Sequence, residues 1–348
     1  MNLISIEDKK LGVGFPVYIV AELSGNHNHE FDRAVKLIDA AKDAGADAIK
    51  LQTYTPDTIT IDCDSDLFGE NGELSQGKSL YQVYQQAYMP WEWQPKLKEI
   101  AKKKGLACFS SPFDPTSVDF LESMNVPIYK VASSEICDLP LLKKIAKTNK
   151  PIILSTGMAT FREIDEALST ISGAGNNKVI LLKCTSAYPA SPSDINLKTM
   201  VHMSSTFNTP VGLSDHTLGH DVALAATSLG ACMIEKHLTL SRNDGGIDDS
   251  FSMEPGEFKD MVRSIRIIER SIGEISYGPS KSEKIGVKNR RSLFIVNDIK
   301  KGDLISNKNV RSIRPGHGLK PKHIDKVIGK RARKDLPKGT PLQWELIE

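Results

Sequence analysis

Eight apolar, strand-like runs alternate with eight amphipathic, helix-like stretches between Val17 and Gly273. The runs are nearly continuous in apolar and β-branched residues, as is typical of parallel strands covered on both faces. Each is followed by a stretch with helical spacing, such as FDRAVKLIDAAKDAG. This eightfold repeat predicts an α/β protein with a (β/α)8 TIM barrel. The predicted strands are VYIVAE, AIKLQTY, LACFSSP, IYKVAS, PIILSTG, VILLKCT, PVGLSDHT and MIEKHLTL.

Nearly every predicted strand ends in a charged or hydroxyl-bearing residue. In barrels of this type the active site lies at the carboxyl ends of the strands. The strand-end side chains are therefore the first candidates for a site. They are Glu22, Lys50, Gln52, Ser111, Lys130, Ser133, Glu135, Ser155, Lys183, Ser186, Ser214, His216, Glu235 and His237.

The pattern predicts a barrel domain over residues 1–274, a polar linker over 275–286 and a small second domain over 287–348. In the second domain, DIKKGDLIS and DLPKGTPLQ repeat one pattern, which predicts a compact β-rich module with internal pseudo-symmetry. Residues 1–16 are expected to form a hairpin that closes the bottom of the barrel. The loop over residues 55–90 is too long for a simple connector, so we expect a flap or an oligomer contact.

The formal net charge of +2 conceals an uneven distribution. Residues 287–348 contain 16 Lys+Arg and 6 Asp+Glu, against 29 and 37 in the rest of the chain. Such a basic module would bind a polyanion or pack on an acidic neighbour. Its only aromatic residues are Phe294 and Trp344, too few for a base-stacking platform. We therefore favour packing on an acidic neighbour and expect no nucleic-acid partner.

No apolar run is long enough to span a bilayer, and the charged N-terminal segment lacks the apolar core of a signal peptide. We therefore expect a cytoplasmic protein with no membrane partner. Five cysteines without CxxC spacing fit a reducing compartment. Cys184 ends a strand, where a nucleophile is conceivable. No histidine lies near it in sequence, so a core role is preferred.

His216 and His237 end the seventh and eighth predicted strands, which are neighbours in a barrel. Two imidazoles in one space suit a divalent metal, with water completing its coordination. The alternative is that each is only a hydrogen-bonding residue. His27 and His29 lie on the first loop and are ambiguous.

Three strand-end lysines, Lys50, Lys130 and Lys183, need anions if they are buried. One interpretation is a Schiff-base aldolase, which needs a single lysine with a depressed pKa. Together with the strand-end serines, the lysines fit better as an anion pocket for phosphate and carboxylate. An alternative to a role in this pocket applies to Lys183 and Lys236, whose side chains would then point outward between the helices. The acidic residues Glu22, Glu135, Asp248 and Asp249 are candidates for proton transfer and for binding sugar hydroxyls.

The motifs AELSGNHN, AGADAIKLQTYTPDTIT, FSSPFD, YKVASSE, ILSTGMA, LLKCTSAYP, GLSDHT and EKH, in this order, resemble the sialic acid synthases. The basic C-terminal segment with RPGHG resembles their antifreeze-like (SAF) domain. The segments QTYTPDTIT, FSSPFD and DDSFSMEP are most similar to the pseudaminic acid synthase branch.

The resemblance implies condensation of phosphoenolpyruvate with an open-chain N-acylated amino sugar and water, with C–O cleavage and release of phosphate. For this branch the sugar would be 2,4-diacetamido-2,4,6-trideoxy-L-altrose and the product pseudaminic acid. A divalent metal, Mn²⁺ first and Mg²⁺ or Co²⁺ as alternatives, would polarise the aldehyde.

The resemblance also assigns roles to residues of this sequence. His216 and His237 would bind the metal, and Glu135 and Glu22 would join them as catalytic residues. The phosphoenolpyruvate ligands would be Lys50, Ser111, Lys130, Ser133, Ser155, Ser186 and Ser214. The sugar contacts would be Glu22, Gln52, Tyr188, Asp248 and Arg314. Arg314 would reach the barrel of a partner subunit, which implies a domain-swapped homodimer.

Three alternatives stay open. The sugar would be a mannosamine-type substrate in an N-acetylneuraminate or legionaminic acid synthase. A Schiff-base or metal-dependent aldolase is a more distant alternative. A non-enzymatic module that binds a polyanionic glycan or nucleic acid would show salt-sensitive binding without turnover.

Overall fold

The computed structural model describes residues 4–12, 14–68 and 78–348, and it divides into two compact units, Met1–Gly273 and Glu274–Glu348. The finer division into a linker over 275–286 and a domain over 287–348 stays a prediction. Within the described ranges, no helix combines the length and the apolar composition that a membrane span requires.

The first unit is a closed barrel of eight parallel strands preceded by an antiparallel hairpin, β1 (Ile4–Ile6) and β2 (Lys9–Leu11). Each strand pairs with the next along the chain, and the last strand pairs with the first. The predicted (β/α)8 barrel is confirmed, and each predicted run contains one observed strand. The barrel strands are β3 (Tyr18–Glu22), β4 (Ala48–Thr53), β5 (Ala107–Pro112), β6 (Tyr129–Val131), β7 (Ile152–Ser155), β8 (Val179–Cys184), β9 (Val211–Asp215) and β10 (Met233–His237).

Helices follow the barrel strands, and their apolar positions recur at helical spacing. In the first helix the buried residues Ala34, Leu37, Ile38 and Ala41 form one face toward the strands. The helices of the first unit are α1 (Phe31–Ala44), α2 (Pro56–Ile59), α3 (Leu80–Ala87), α4 (Gln94–Lys103), α5 (Pro115–Ser123), α6 (Leu139–Ala146), α7 (Phe161–Gly173), α8 (Lys198–Phe207), α9 (Asp221–Ser228) and α10 (Pro255–Ile272).

The long loop after β4 contains α2 and α3, while its residues 69–77 lie outside the described residues. A Cβ built on Gly25 would lie 3.4 Å from Ala87, so the end of α3 packs against the loop that follows β3. This part of the chain therefore lies at the carboxyl ends of the strands. A flap motion or an oligomer contact there stays a prediction.

The barrel separates two apolar cores. Alternate strand residues such as Ala21, Ile49 and Leu154 pack outward against the helices. A second set, including Val20, Phe109, Ile153 and Leu182, fills the lumen. Ile4, Ile6 and Leu11 of the hairpin join this second set beside Tyr18 and Ala48, which begin their strands. The hairpin therefore closes the amino-terminal end of the barrel, as predicted.

The second unit contains β11 (Ser292–Ile295), β12 (Val310–Ile313) and α11 (Ile324–Val327) around its own apolar core. In its two sequence repeats, the first aspartate of each repeat accepts a hydrogen bond from a backbone N–H of the other. The Asp298 carboxylate accepts from the Lys338 N–H at 2.6 Å, and the Asp335 carboxylate accepts from the Lys301 N–H at 2.9 Å. A bridge between Ile299 and Leu336 joins the repeats. The predicted pseudo-symmetric β-rich module is confirmed.

Candidate active site

The two-residue period of the strands brings polar side chains to the upper lumen. On β5, Phe109 lies in the lumen core and Ser111 follows two residues later. The same step leads from Ala48 to Lys50 on β4 and from Ile153 to Ser155 on β7. The lower lumen is therefore apolar, and the strand ends are polar.

Lys183 and Lys236 fall on the opposite face of their strands. Lys236 Nζ lies 2.8 Å from Asp215 Oδ2, and both side chains are buried. Lys183 Nζ donates to the Cys184 carbonyl oxygen at 2.7 Å. The prediction that Lys236 faces the helices is confirmed, and Lys183 joins it outside the lumen.

A buried charge network occupies one wall of the lumen. Lys50 Nζ lies 2.9 Å from Glu22 Oε2 and 3.1 Å from Glu235 Oε1. Lys130 Nζ lies 3.8 Å from the same Glu235 oxygen. Ser214 Oγ donates to that oxygen at 3.2 Å, and Glu235 Oε2 has no hydrogen-bond partner among the described residues. One carboxylate therefore contacts both lysines.

Burial and ion pairing oppose each other in this network. Burial lowers the pKa of Lys50, but Glu22 and Glu235 outweigh it and raise that pKa. Burial lowers the pKa of Lys130, which has weaker compensation from Glu235. Burial also raises the pKa of Glu22, whereas Lys130 and Lys50 outweigh burial at Glu235 and lower its pKa. Lys50 is therefore held as a cation.

Hydroxyl groups surround the two lysines. Lys130 Nζ donates to Ser155 Oγ at 2.7 Å, and Lys50 Nζ lies 3.5 Å from Ser111 Oγ. The Gly157 N–H donates to Ser133 Oγ at 3.0 Å. A Cβ at position 157 would lie 2.3 Å from Ser186 Oγ and 2.7 Å from Ser133 Oγ. Only glycine allows these two hydroxyls to approach the same backbone, so Ser133 and Ser186 belong to the same wall.

His216 and His237 approach each other at the ends of β9 and β10, with ring centroids 5.3 Å apart. His216 Nδ1 lies 3.0 Å from the Thr185 carbonyl oxygen, and His237 Nδ1 lies 3.2 Å from Ser24 Oγ. Both rings therefore use Nδ1 for neighbouring groups and leave Nε2 for another ligand. Burial and the charge of His216 lower the pKa of His237 well below its ordinary value, so this ring is neutral near pH 7.

Aromatic side chains cover the two histidines. The Tyr188 ring lies 4.4 Å from the His216 ring, and the Phe251 ring lies 5.0 Å from the His237 ring. Tyr188 and Phe251 are themselves 5.2 Å apart. Gln52 Nε2 donates to Glu22 Oε1 at 2.9 Å. The two aromatic rings form an apolar roof next to the histidines.

Cys184 has a histidine neighbour that the sequence did not reveal. His216 Nδ1 lies 3.9 Å from Cys184 Sγ, although 32 positions separate them. Burial raises the pKa of Cys184, but the contacts with His216 and Ser133 outweigh it and lower that pKa to about 7. Burial lowers the pKa of His216, and Cys184 and the Thr185 carbonyl oxygen reverse this into a net rise. No histidine lies near Cys184 in sequence, but the barrel brings His216 to it because the ends of β8 and β9 are neighbours.

Glu135 lies in a short 3-10 turn, Ser133–Cys137, that follows β6. Burial raises its pKa to about 7, and Lys130 only partly opposes this effect. Its Oε2 atom has no hydrogen-bond partner within the described ranges. A carboxyl group with this pKa exchanges a proton readily near neutral pH.

Arg314 belongs to the second unit, where it lies on an exposed loop. Ser292 anchors this loop, because its Oγ donates to the Pro315 carbonyl oxygen at 2.7 Å and accepts from the Gly318 N–H at 2.8 Å. A Cβ on Gly318 would lie 2.2 Å from the Leu293 carbonyl oxygen, so glycine is required there. The loop is therefore firmly held while its arginine side chain faces solvent.

Comparisons with known proteins identify the family of this chain. The NeuB family model matches residues 37–277, and the SAF domain model matches residues 290–348. The chain belongs to the NeuB family. It is 44% identical to the pseudaminic acid synthase of Helicobacter pylori, over 96% of this chain and 98% of that protein.

Two further relatives extend this NeuB-family assignment. An N,N'-diacetyllegionaminic acid synthase of Campylobacter jejuni is 40% identical, over 91% of this chain and 96% of that protein. The crystal structure of the N-acetylneuraminic acid synthetase of Leptospira borgpetersenii, in complex with citrate, superposes with a TM-score of 0.72. That structure is 34% identical and covers 82% of this chain and 95% of its own.

Two residues of this NeuB-family site received no specific function from the sequence. Glu235 was only one of the strand-end candidates. Its position two residues before His237 on β10 was the signal that both side chains share the lumen face. Ser24 lies after β3, in a loop with a positive backbone φ of 39°. Its contact with His237 spans 213 positions, so no local pattern predicts it.

Proposed function

We propose that this chain is a synthase that condenses phosphoenolpyruvate with an N-acylated amino sugar aldehyde and water, and that it releases phosphate and a nine-carbon keto acid. The observation that carries this proposal is the proximity of two chemically different walls in one lumen. The first wall holds lysines and serines around Glu235, and the second holds the paired imidazoles of His216 and His237.

Phosphoenolpyruvate would bind at the lysine wall. Its carboxylate and phosphate need cations and hydroxyl donors, which Lys50 and Lys130 supply with the serines of the strand ends. The serines are Ser111, Ser133, Ser155, Ser186 and Ser214. Because Glu235 contacts both lysines, it would hold their ammonium groups in place before the anion arrives.

The paired histidines fit a divalent cation. His216 and His237 would be its two protein ligands, since their rings lie 5.3 Å apart between centroids. Within the described ranges no group of three His, Cys, Asp or Glu side chains could hold a metal ion. The donor set suits the proposal, since both rings leave Nε2 free and His237 is neutral. Mn²⁺ is the first candidate, and Mg²⁺ and Co²⁺ are alternatives. When bound, the cation would polarise the sugar aldehyde.

The chain's own residues would orient the reactants and move protons. The C2=C3 electron pair of phosphoenolpyruvate forms a bond to the aldehyde carbon, and the aldehyde oxygen takes a proton and becomes a hydroxyl. Water adds to the electron-deficient C2 and loses a proton. The C2–O bond to phosphate then breaks, phosphate leaves with the electron pair, and the new C2 hydroxyl loses its proton to become the ketone. Glu135, with its pKa near 7, would exchange a proton with this water or with phosphate. Glu22 is buried and accepts from Gln52 Nε2, and it would also accept a hydrogen bond from a sugar hydroxyl.

The sugar would lie between the lysine wall and the aromatic roof. Tyr188, Phe251 and Asp248 border this space beside His237. We propose 2,4-diacetamido-2,4,6-trideoxy-L-altrose as the substrate, which makes pseudaminic acid the product. The support is 44% identity to the Helicobacter pylori relative that carries this name. A legionaminic acid synthase is the second candidate, since a relative so named is 40% identical.

Arg314 would bind the acyl group of the sugar in the barrel of a second subunit. Its loop is firmly held, and the arginine has no hydrogen bond or ion pair within the part of the chain that the structure describes. The positive balance of residues 287–348 and the negative balance of the rest would favour such packing between subunits of a homodimer.

Isotope labelling at the bridging oxygen of phosphoenolpyruvate tests the reaction class. We expect the ¹⁸O label on C2 to appear in the released phosphate, because the C–O bond breaks. Label retained in the keto acid would overturn the proposal. Borohydride treatment in the presence of substrate should leave the enzyme active, since no imine forms. Inactivation with covalent trapping on a lysine would instead support an aldolase.

A further inference from the structure

The two histidines differ in how their Nδ1 atoms are held. His216 Nδ1 faces the Thr185 carbonyl oxygen, which only accepts a hydrogen bond, so this nitrogen carries the proton. His237 Nδ1 faces Ser24 Oγ at 3.2 Å. A hydroxyl group both donates and accepts, so Ser24 alone does not decide which nitrogen of His237 is protonated.

Asp248 indicates which nitrogen of His237 carries the proton. Its Oδ2 atom lies 3.9 Å from His237 Nδ1. An oxygen at this place favours a proton on Nδ1, because it accepts hydrogen bonds. The Ser24 oxygen, 3.2 Å from the same nitrogen, then accepts from His237 Nδ1–H.

The backbone holds Ser24 in this position. The side chain is 1% exposed, and the residue has a positive φ of 39°. For a residue other than glycine this conformation is strained and persists only when the surroundings determine it. The Ser24 N–H donates to Glu22 Oε1 at 3.2 Å, and Asn26 Nδ2 donates to the Leu238 carbonyl oxygen at 2.9 Å. The loop is thus tied to the ends of both β3 and β10.

We propose that Ser24 is a positioning residue for the metal site, because its hydroxyl accepts from His237 Nδ1–H while Asp248 borders the same nitrogen. Ser24 thereby holds His237 as the Nδ1–H tautomer and directs Nε2 toward the cation. This role rests on the proposed function, and it concerns a residue that touches neither the cation nor the substrates. Such outer contacts commonly change metal affinity by about 10- to 100-fold.

Metal binding without substrates tests the proposal. Electron paramagnetic resonance of Mn²⁺ measures the free ion in titrations of the full-length protein. We expect Ser24→Ala to weaken Mn²⁺ binding by about 10- to 100-fold. Ser110→Ala is the matched control, since Ser110 is also 1% exposed and its hydroxyl bonds Thr53 at 2.6 Å instead of a histidine. It should bind Mn²⁺ like the wild type.

A second variant and a second readout separate positioning from folding. Ser24→Gly removes the hydroxyl and relieves the positive φ, so it should fold where alanine fails and still bind Mn²⁺ weakly. In ¹⁵N-histidine NMR spectra of the metal-free protein, His237 should be the Nδ1–H tautomer, and both Ser24 variants should lose this preference. A merely structural serine would change the melting temperature without changing the tautomer.

The outcomes distinguish this role from the function on which it rests. Mn²⁺ binding that His237→Ala abolishes and both Ser24 variants retain within twofold would overturn the positioning role alone. A wild-type protein that binds no Mn²⁺ would overturn both this role and the proposed metal site. Weak binding in the Ser24 variants, with normal binding in Ser110→Ala, supports the positioning role of Ser24.

Discussion

The imidazole rings of His216 and His237 meet at 68°, with centroids 5.3 Å apart, at the ends of the neighbouring strands β9 and β10. Hydrogen-bond partners at Nδ1 on both rings leave the Nε2 atoms for a shared ligand. The Tyr188 ring packs near both imidazoles, with centroids 4.4 Å from His216 and 6.2 Å from His237.

Removal of one imidazole should remove the response to metal. We expect His216→Ala to lose activation by Mn²⁺ after the protein has been stripped with a chelator, because one ligand is not enough to hold the cation. The measurement is initial rate against Mn²⁺ concentration. His202→Ala, on the exposed face of α8, is the control and should respond normally. An unchanged Mn²⁺ dependence in His216→Ala would exclude this residue from the metal site.

Lys130 should contribute to phosphoenolpyruvate affinity. A hydrogen bond to a charged group contributes about 1.5–3 kcal/mol, so we expect Lys130→Met to raise the KM for phosphoenolpyruvate by roughly 10- to 150-fold. The measurement is KM at saturating sugar. Lys183→Met is the control, since Lys183 faces away from the lumen. Equal effects of the two substitutions would show that Lys130 has no special contact with the anion.

The stability of the folded protein should depend on pH through Glu135, whose pKa is about 7. The folded-state pKa lies above the ordinary glutamate value of 4.5, which applies to the unfolded chain. Its contribution to stability is therefore fully present below pH 4.5 and is lost as the pH rises through 7. We expect Glu135→Gln to raise the melting temperature relative to the wild type more at pH 8 than at pH 4.5.

The same substitution should change the pH profile of activity. If Glu135 transfers the proton, kcat falls in Glu135→Gln and the profile loses its inflection near pH 7. Glu166→Gln, an exposed position on α7, controls for loss of surface charge and should keep the inflection. An unaltered profile in Glu135→Gln would assign the proton transfer to another group.

Arg314 should act across a subunit interface. We expect Arg314→Ala to raise the KM for the sugar strongly, because a charged hydrogen bond to its acyl group is lost. Co-expression with His237→Ala should restore activity to roughly a quarter of the wild type. Half of randomly assembled dimers are mixed, and each mixed dimer would contain one complete site.

Two controls accompany this complementation experiment. Each variant expressed alone should be nearly inactive at the sugar concentration used. No recovery in the mixed sample, despite verified exchange of subunits, would place Arg314 in its own subunit's site or outside the site altogether.

The strand-end residues were predictable because barrel strands obey a two-residue period. Once Phe109 and Ile153 lie in the lumen core, Ser111 and Ser155 must lie above them. The same reasoning sends Lys236 outward to Asp215. These inferences need only the local pattern and the rule that the polar end of the barrel is the carboxyl end.

Contacts between distant loops were not predictable in this way. Ser24 reaches His237 through a positive φ that no local pattern requires, and Cys184 meets His216 only when the barrel closes. The joint contact of Glu235 with Lys50 and Lys130 depends on side-chain lengths across three strands. Such contacts determine most of the pKa shifts in the site. The sequence therefore predicted which residues belong to the site better than it predicted their charges.

Phosphate release from phosphoenolpyruvate with Mn²⁺ and three separate sugars tests the central claim most directly. The sugars are 2,4-diacetamido-2,4,6-trideoxy-L-altrose, the corresponding diacetamido-trideoxymannose and N-acetylmannosamine. We expect turnover with the altrose sugar and little with the other two. Preferred turnover with either mannose-type sugar would contradict the specificity while keeping the reaction. No phosphate release with any of them would contradict the proposed synthase.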